Sequence, residues 1–502
     1  MATQKEEQLY QDRLNKLKAL RKAGFDPYPA NAKRTHAIGQ AVEQFSSLSK
    51  QKKRLTLAGR IRAVRIHGGV TFGNLEDETG IIQFMLKEDE IGESKFRNFG
   101  KYYDIGDFVE VIGVMIETKR REKTLLVSDY RMLAKSLRAL PEKWHGLTDL
   151  ETRLRKRYLD MIAHPEVREM FRKKNIFWRA VRQFLTEKGF LEVQTPVLET
   201  IPGGADAKPF ITHHNALDRD FYLRISLELP QKRLLVGGFD RVFEIGRLFR
   251  NEGIDREHLQ EYDSMEFYMA YGDEKSGMQI SEALFKKVVK DVTGGYKTKF
   301  EGKDIDWNKK WPTVDYFQAF KKEASIDLNK NISIDDLKKA AQKFGIEYGK
   351  SLSKGRMIDT IYKKTVRPKL IQPCFLIGHP VEISPLSKLD PKNPRKVLRF
   401  QILAAGMELG NGWAELNDPA DQRKRFEEQM ELRAAGDEEA QMMDEDFVEA
   451  LEYGLPPAVG FGMSERLFAV LMDKSIRETV IFPPMRSSPS SPGLPSGDLP
   501  KV

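Results

Sequence analysis

The sequence runs to 502 residues, past the roughly 250–300 at which a single hydrophobic core stops growing, so two or more domains are expected. Lys and Arg (83) outnumber Asp and Glu (74), and the net charge of +9 favours a polyanionic partner. No run approaches the ~18 consecutive apolar residues of a membrane span, and the opening MATQKEEQLYQDR is charged where a signal peptide would be apolar, which points to a soluble, cytoplasmic protein with no membrane partner. Cys374 is the one cysteine; it excludes an intrachain disulfide and a cysteine metal cluster and is expected in a core.

The segment 1–54 is a helix and a lead-in. To about Ala23 it sets Leu9, Leu14, Leu17 and Leu20 near the three-and-four spacing of one helix face, and Gly24 stops it. Residues 55–135 then change to short β-rich runs punctuated by Gly and Asp, a spacing that suggests a small five-stranded β-barrel of the OB type. Such a barrel offers an open sheet face to unpaired bases, so in a basic chain it hints at single-stranded nucleic acid. Residues 136–164 mix Pro, Trp and a dense basic run and read as a linker. An amphipathic helix is expected from Glu166 to about Lys188, followed by a strand in FLEVQTPVL that Pro196 interrupts. Residues 221–229, 241–250 and 262–270 read as strands, the last two joined as a long antiparallel hairpin by NEGIDREHLQE. Lys-rich helical patterns at 274–293 and about 313–366 imply a helical insertion over about 295–366, and a second strand group begins near Cys374. The segment SERLFAVLMDKSIRETVIFPPMR reads as a helix and a short strand, and the Ser/Pro/Gly tail 487–502 is expected to be disordered.

Two groups of residues carry possible chemistry. In FRNEG, Arg250 and Glu252 are two apart and share a face, so a cation and a carboxylate aimed together could hold a phosphate and an exocyclic amine, or form a surface ion pair. His258 in the following loop, Tyr262 opposite, and the distant GFGMSER, where Gly460 and Gly462 allow close backbone approach and Arg466 begins a helix, strengthen the first reading. There is no P-loop lysine pattern and no G-x-G-x-x-G, so nucleotide binding would use another architecture. The second group is acidic: Glu228, Glu266 with Tyr268 on the same strand face, Glu408 and Glu415. Carboxylates converging in a pocket need a cation or a metal to balance them; the alternative is that they ornament solvated strand ends.

Three ordered motifs, GFLEVQTPVL, RVFEIGRLFRNEG running on to MEFYMAY, and GFGMSERL, resemble the three signatures of the class II aminoacyl-tRNA synthetases. IPGGADAKPFITHHNALD and ELGNGWAELNDPADQRKRF are similar to the bacterial-type lysyl-tRNA synthetases within that class. The resemblance implies an α+β fold: an antiparallel six-stranded catalytic sheet with helices over 165–486, an N-terminal OB-fold barrel that binds the anticodon, and a homodimer built partly through the first motif. It implies ATP and L-lysine as substrates with Mg2+ as cofactor, and tRNA(Lys) as partner. Arg250 would hold the α-phosphate and the lysine carboxylate, Glu252 the adenine amino group, and His258 the phosphate tail. Adenine would stack between Tyr262 and Arg466, with Arg466 also meeting the γ-phosphate and Glu408 holding magnesium. Glu228, Glu266, Tyr268, Asn411 and Glu415, with Gly204 in IPGGADAKPF, match the lysine pocket, whose charge suits an ammonium. In the barrel, Phe72 matches an aromatic that stacks an anticodon base, Gln83 and Glu122 match readers of base edges, and Arg65 is an additional contact.

The sequence departs from the family pattern in places. Gln401 stands where a magnesium-ligating glutamate is usual, and its amide offers an oxygen without charge. Glu257 replaces a usual arginine, with Arg256 beside it as a substitute; Glu465 precedes Arg466 where an aspartate is usual, and Pro230 stands in place of a tyrosine. The alternatives are an aspartyl or asparaginyl enzyme, which the acidic pocket disfavours, a protein-modifying lysine ligase, which would lack the barrel, and a non-catalytic tRNA-binding paralogue.

Overall fold

The leucine spacing at the N-terminus folds as helix α1, Gln4–Lys22, which buries Leu17 and Leu20 and ends where Gly24 takes a positive φ of 81°. The computed structural model describes residues 4–141, 147–253, 259–348 and 353–485. The chain divides into two units, Met1–Asp149 and Leu150–Val502.

In the first unit, β1 (Arg54–His67), β2 (Val70–Glu76), β3 (Ile81–Lys87), β4 (Phe108–Glu117) and β5 (Lys123–Ala134) close into a barrel in the order β1-β2-β3-β5-β4. Alternation sends Leu57, Ile61, Leu75, Ile82, Phe84, Val109, Val111 and Leu125 inward. The helix Glu93–Tyr102, which the strand-rich pattern concealed, packs Phe99 edge-on against Phe84.

The second unit is built on an eight-stranded sheet. Its strands are β6 (Leu191–Glu192), β7 (Arg241–Phe249), β8 (Glu261–Ala270), β9 (Thr313–Asp315), β10 (Cys374–Ile377), β11 (Arg399–Ala404), β12 (Met407–Ala414) and β13 (Ala458–Ser464), in the order β9-β10-β11-β12-β13-β8-β7-β6. The six central strands pair antiparallel, and β9 and β6 add to the two edges in parallel. Helices α2 (Pro165–Glu187) and α4 (Glu274–Thr293) cover one face, burying Phe177, Val181, Phe285 and Val288 against Phe243, Phe267, Phe400 and Phe461. Helix α3 (Glu228–Val236) packs Leu229 and Leu235 with Val242 and Tyr268 from the other face. That second face carries the site.

Several elements differ from the sequence expectation. The segment expected as a strand over 221–229 stops at Leu223, and Glu228 opens α3; Pro230 lies in the first helical turn, where no intrahelical N–H is lost. FLEVQTPVL yields only β6 and the two-residue strand Leu198–Glu199. The expected helical insertion begins with a hairpin, Lys297–Phe300 with Lys303–Asp306, and its helices are Tyr316–Ala324, Ile334–Lys343 and Lys354–Thr365. After the helix Arg466–Leu471 comes a 3-10 turn, Ile476–Thr479, in place of a strand. The proposed tail, 487–502, lies outside the described residues.

The basic run of the expected linker is in part structured core. Residues 150–155 and 157–163 are helical, and Arg157 and Asp160 are buried. Asp160 accepts from Arg153 Nε at 2.7 Å and Arg157 Nη1 at 2.9 Å, and meets His164 Nδ1 at 2.7 Å. Arg157 also donates to the carbonyls of Glu478, Val480 and Ile481, tying the start of this unit to its end. Replacing Asp160 by Ala strands a buried guanidinium and is expected to remove about 3 kcal/mol of stability, read by denaturant unfolding; an unchanged midpoint contradicts this role.

Candidate active site

Period two along the strands assembles the site. Tyr262, Ser264, Glu266 and Tyr268 of β8 face one way, opposite the core residues Met265, Phe267 and Met269. In register beside Glu266 and Tyr268 lie Gly462 and Gly460 of β13, and beyond them Asn411 and Trp413 of β12. The two glycines keep this strip flat: a Cβ on Gly460 would lie 2.3 Å from Glu415 Oε1 and 2.4 Å from the Tyr268 ring, and one on Gly462 3.2 Å from Glu266 Cγ. Over the strip opens a cavity of about 290 Å³ lined by residues from Gly204 to Ile476.

One end of this region is acidic and buried. Glu266 accepts from Ser226 Oγ and from the Leu227 N–H, both at 3.1 Å, and from the Tyr268 hydroxyl at 2.9 Å. Glu228, on the first turn of α3, lines the cavity; Gly204, at φ 82°, passes so close that a Cβ there would lie 2.9 Å from Glu228 Cβ. Glu415 does not line the cavity; it lies past Trp413, whose Nε1–H donates to Glu415 Oε2 at 2.9 Å. Between the two carboxylates is a cation absent from the sequence expectation. Lys232 Nζ is 2.5 Å from Glu228 Oε1 and 2.5 Å from Glu415 Oε2, and all three side chains are closed to solvent. Burial raises the Glu228 and Glu415 carboxyls against the opposing pull of Lys232. Burial raises Glu266 too, outweighing the hydrogen bonds it accepts. Lys232 is the i+4 partner of Glu228, a signal present in LELPQK once the segment is helical.

The other end is cationic. Arg250 and Glu252 fall just past the end of β7, and both line the cavity. The Arg250 guanidinium stands 5.7 Å from the centre of the Tyr262 ring, and its Nε donates to the Ile225 carbonyl at 3.3 Å. Arg466 also lines the cavity, and its Nη1 donates to the Glu408 carbonyl at 3.1 Å. Glu408 and Asn411 border the same space, and Asn411 Oδ1 accepts from Arg399 Nε at 3.0 Å; Arg399 is a second cation missed in the sequence. His258, with Arg256 and Glu257, lies outside the described residues. Gln401 is not brought to the cavity: its Oε1 accepts from the buried Tyr362 hydroxyl at 3.3 Å. Of the two positions expected to bind magnesium, Glu408 fits a role beside phosphates, since Mg2+ commonly takes one or two carboxylates and fills its sphere with phosphate oxygens and water. Gln401 does not fit. Glu465 is buried against Lys174 of α2, so this departure in the third motif is matched by a local counter-ion.

In the barrel, Arg65 and Phe72 are register partners, as are Asn74 and Gln83 on the same outer face. Gln83 Nε2 donates to Glu122 Oε2 at 2.7 Å, and Thr124 Oγ1 donates to Gln83 Oε1 at 2.8 Å. All four barrel residues expected from the sequence thus belong to strands or turns at this face, and Asn74 joins them, with the buried Thr124 holding Gln83.

The family model for tRNA synthetases class II (D, K and N) matches residues 149–486, and that for the OB-fold nucleic acid binding domain matches residues 55–133. A lysine–tRNA ligase of Moorella thermoacetica is 46% identical over 488 residues, covering 97% of this chain and 99% of the relative. A lysine–tRNA ligase of Roseiflexus castenholzii is 46% identical over 482 residues, with 95% and 99% covered, and one of Carboxydothermus hydrogenoformans 44% over 491, with 97% and 99% covered. With its antiparallel sheet, its OB barrel and these matches over nearly its whole length, the chain belongs to the class II tRNA synthetases of the D, K and N group.

Proposed function

We propose that the chain ligates L-lysine to tRNA(Lys), using ATP and passing through a lysyl-adenylate. The observation that carries this reading is the polarity of one cavity: buried carboxylates at one end suit the lysine ammonium, and Arg250 and Arg466 at the other suit its carboxylate and the ATP phosphates. The lysine carboxylate attacks the α-phosphorus in line and pyrophosphate leaves, so no protein nucleophile is needed and catalysis rests on positioning and charge neutralisation. In this scheme Arg250 bridges the α-phosphate and the lysine carboxylate, Glu252 receives the adenine amino group, and adenine stacks on Tyr262 with Arg466 on its other face. His258 is assigned to the phosphate tail. Glu408 would hold Mg2+, which when bound neutralises phosphate charge. The terminal ribose hydroxyl of the tRNA then attacks the mixed anhydride and AMP departs.

Glu228, Glu266, Tyr268, Asn411 and Glu415 form the proposed lysine pocket with Gly204. An aspartate or asparagine side chain would present an acid or an amide to three buried carboxylates, which disfavours the aspartyl and asparaginyl alternatives. In the barrel, which we take as the anticodon domain, Phe72 would stack a base, with Gln83, Glu122 and Arg65 around it. We further infer a homodimer through the first motif; Leu191, Val197 and Leu198 leave 41–49% of their surfaces exposed there, apolar area suited to a partner. We assign the protein to the cytoplasm, with the tRNA it would charge; no helix among the described residues is long and apolar enough to cross a membrane.

ATP–pyrophosphate exchange with a panel of standard amino acids tests the activity: signal with lysine is expected, and silence with every amino acid, with tRNA present or absent, would favour the non-catalytic paralogue. Gly460→Ala pushes a methyl into Glu415 and Tyr268, so the KM for lysine is expected to rise about tenfold or more while that for ATP stays within about twofold. Equal effects on both would remove the pocket assignment. Phe72→Ala should weaken tRNA charging about tenfold, one stacked base, and leave pyrophosphate exchange intact, whereas Arg250→Ala abolishes exchange; a Phe72→Ala enzyme with impaired exchange contradicts the division.

A further inference from the structure

The cation between Glu228 and Glu415 has a consequence for how lysine binds. Lys232 approaches both carboxylates at 2.5 Å, so their charges are near neighbours held apart by one ammonium. Glu266 adds a third carboxylate on the same face and hydrogen-bonds to the Tyr268 hydroxyl; Arg250 stands beyond it, towards the proposed phosphate site. From the helix Glu445–Glu452 comes an apolar neighbour, the Phe447 ring, 5.8 Å from Lys232 Nζ, and the nearby Asp444 is taken by Arg233. Among the described residues the acidic end thus holds more carboxylates than cations, all of them buried, and such a site reduces its charge by keeping a proton. One acceptor lacks a partner: among the described residues nothing hydrogen-bonds to the buried Glu415 Oε1, which lies 2.3 Å from where a Cβ on Gly460 would stand.

Resting on the lysine-ligase reading above, we propose that Lys232 is a positioning residue that sets the charge of this pocket: its ammonium keeps one of the pair Glu228 and Glu415 ionised, the other holds a proton, and the side chain of L-lysine enters in exchange for that proton. The exchange is balanced: the substrate ammonium comes in, one proton passes from the pair to solvent, and the net charge of the pocket is unchanged. Burial drives both carboxyls of the pair upward, in the direction the exchange requires. A neutral side chain of equal length could not displace the proton, so the same device separates lysine from uncharged analogues.

Calorimetric titration of the wild-type protein with L-lysine in two buffers of different ionisation enthalpy counts the protons. Near pH 7.5 a fraction of a proton is expected to leave per lysine bound, falling towards zero as rising pH ionises the pair in the free enzyme; no release at pH 7.5 overturns the proposal. Lys232→Met removes the counter-ion, so the pair holds its proton to higher pH. The KM for lysine should rise about tenfold at pH 7.5 and recover at alkaline pH, with the KM for ATP nearly unmoved. A purely structural role would lower stability and kcat without moving the pH profile of the lysine KM, and that result in a folded variant also overturns the proposal. If Lys232→Met does not fold, the wild-type proton count decides alone. Absence of lysine-dependent exchange in the wild type would sink the functional reading; exchange without proton release sinks only the role of Lys232.

Discussion

Burying three carboxylates against the middle of a sheet is tolerable only with compensation, and the ammonium of Lys232 is the centre of it. A buried charge removed from its partner is strongly destabilising, so Glu228, Lys232 and Glu415 stand or fall together. Through them α3 is fastened to the chain just past the end of β12, nearly two hundred residues away. Glu266 needs a different solution, a hydroxyl from each of Ser226 and Tyr268 and the backbone N–H of Leu227. The same groups that make the acidic end affordable also fix where its oxygens point.

The sheet divides its labour by alternation. On β12 and β13 glycines serve both faces: Gly460 and Gly462 clear the site side for Tyr268 and Glu266, and Gly410 and Gly412 clear the core side, where a Cβ would lie 2.4 Å from the Phe461 ring and 2.6 Å from the Phe400 ring. Removing side chains from two adjacent strands lets aromatic rings fill the core beneath while the upper surface stays flat enough for a bound molecule. Small residues here are a packing requirement from below and a steric requirement from above.

What could be read from the sequence follows the range of the interactions involved. Helix α1, the barrel strands and the β7–β8 hairpin rest on local periodicity in elements that follow one another along the chain, and their patterns are legible. Glu266 and Tyr268 share a face at spacing two, which also shows directly. The register that sets Gly460 beside Tyr268 joins residues almost two hundred apart and leaves no local trace. Lys232 was hidden for a different reason: LRISLELP alternates like a strand, and only once Glu228 starts a helix does the four-residue interval bring the ammonium round to the carboxylate. The basic stretch before α2 misled in the opposite way, since charge density suggested a solvated linker while Arg157 is buried by carbonyls at the far end of its unit.

Trp413 gives the acidic end an optical voice. Its indole N–H donates to Glu415, and its ring borders the cavity, whereas Trp307 and Trp311 are buried in the apolar core and Trp178 packs against it. The excited indole is sensitive to nearby charge, so its emission colour should follow the protonation and occupancy of the carboxylate it touches. A single-tryptophan protein retaining Trp413 would turn events in the pocket into a fluorescence signal without any attached dye.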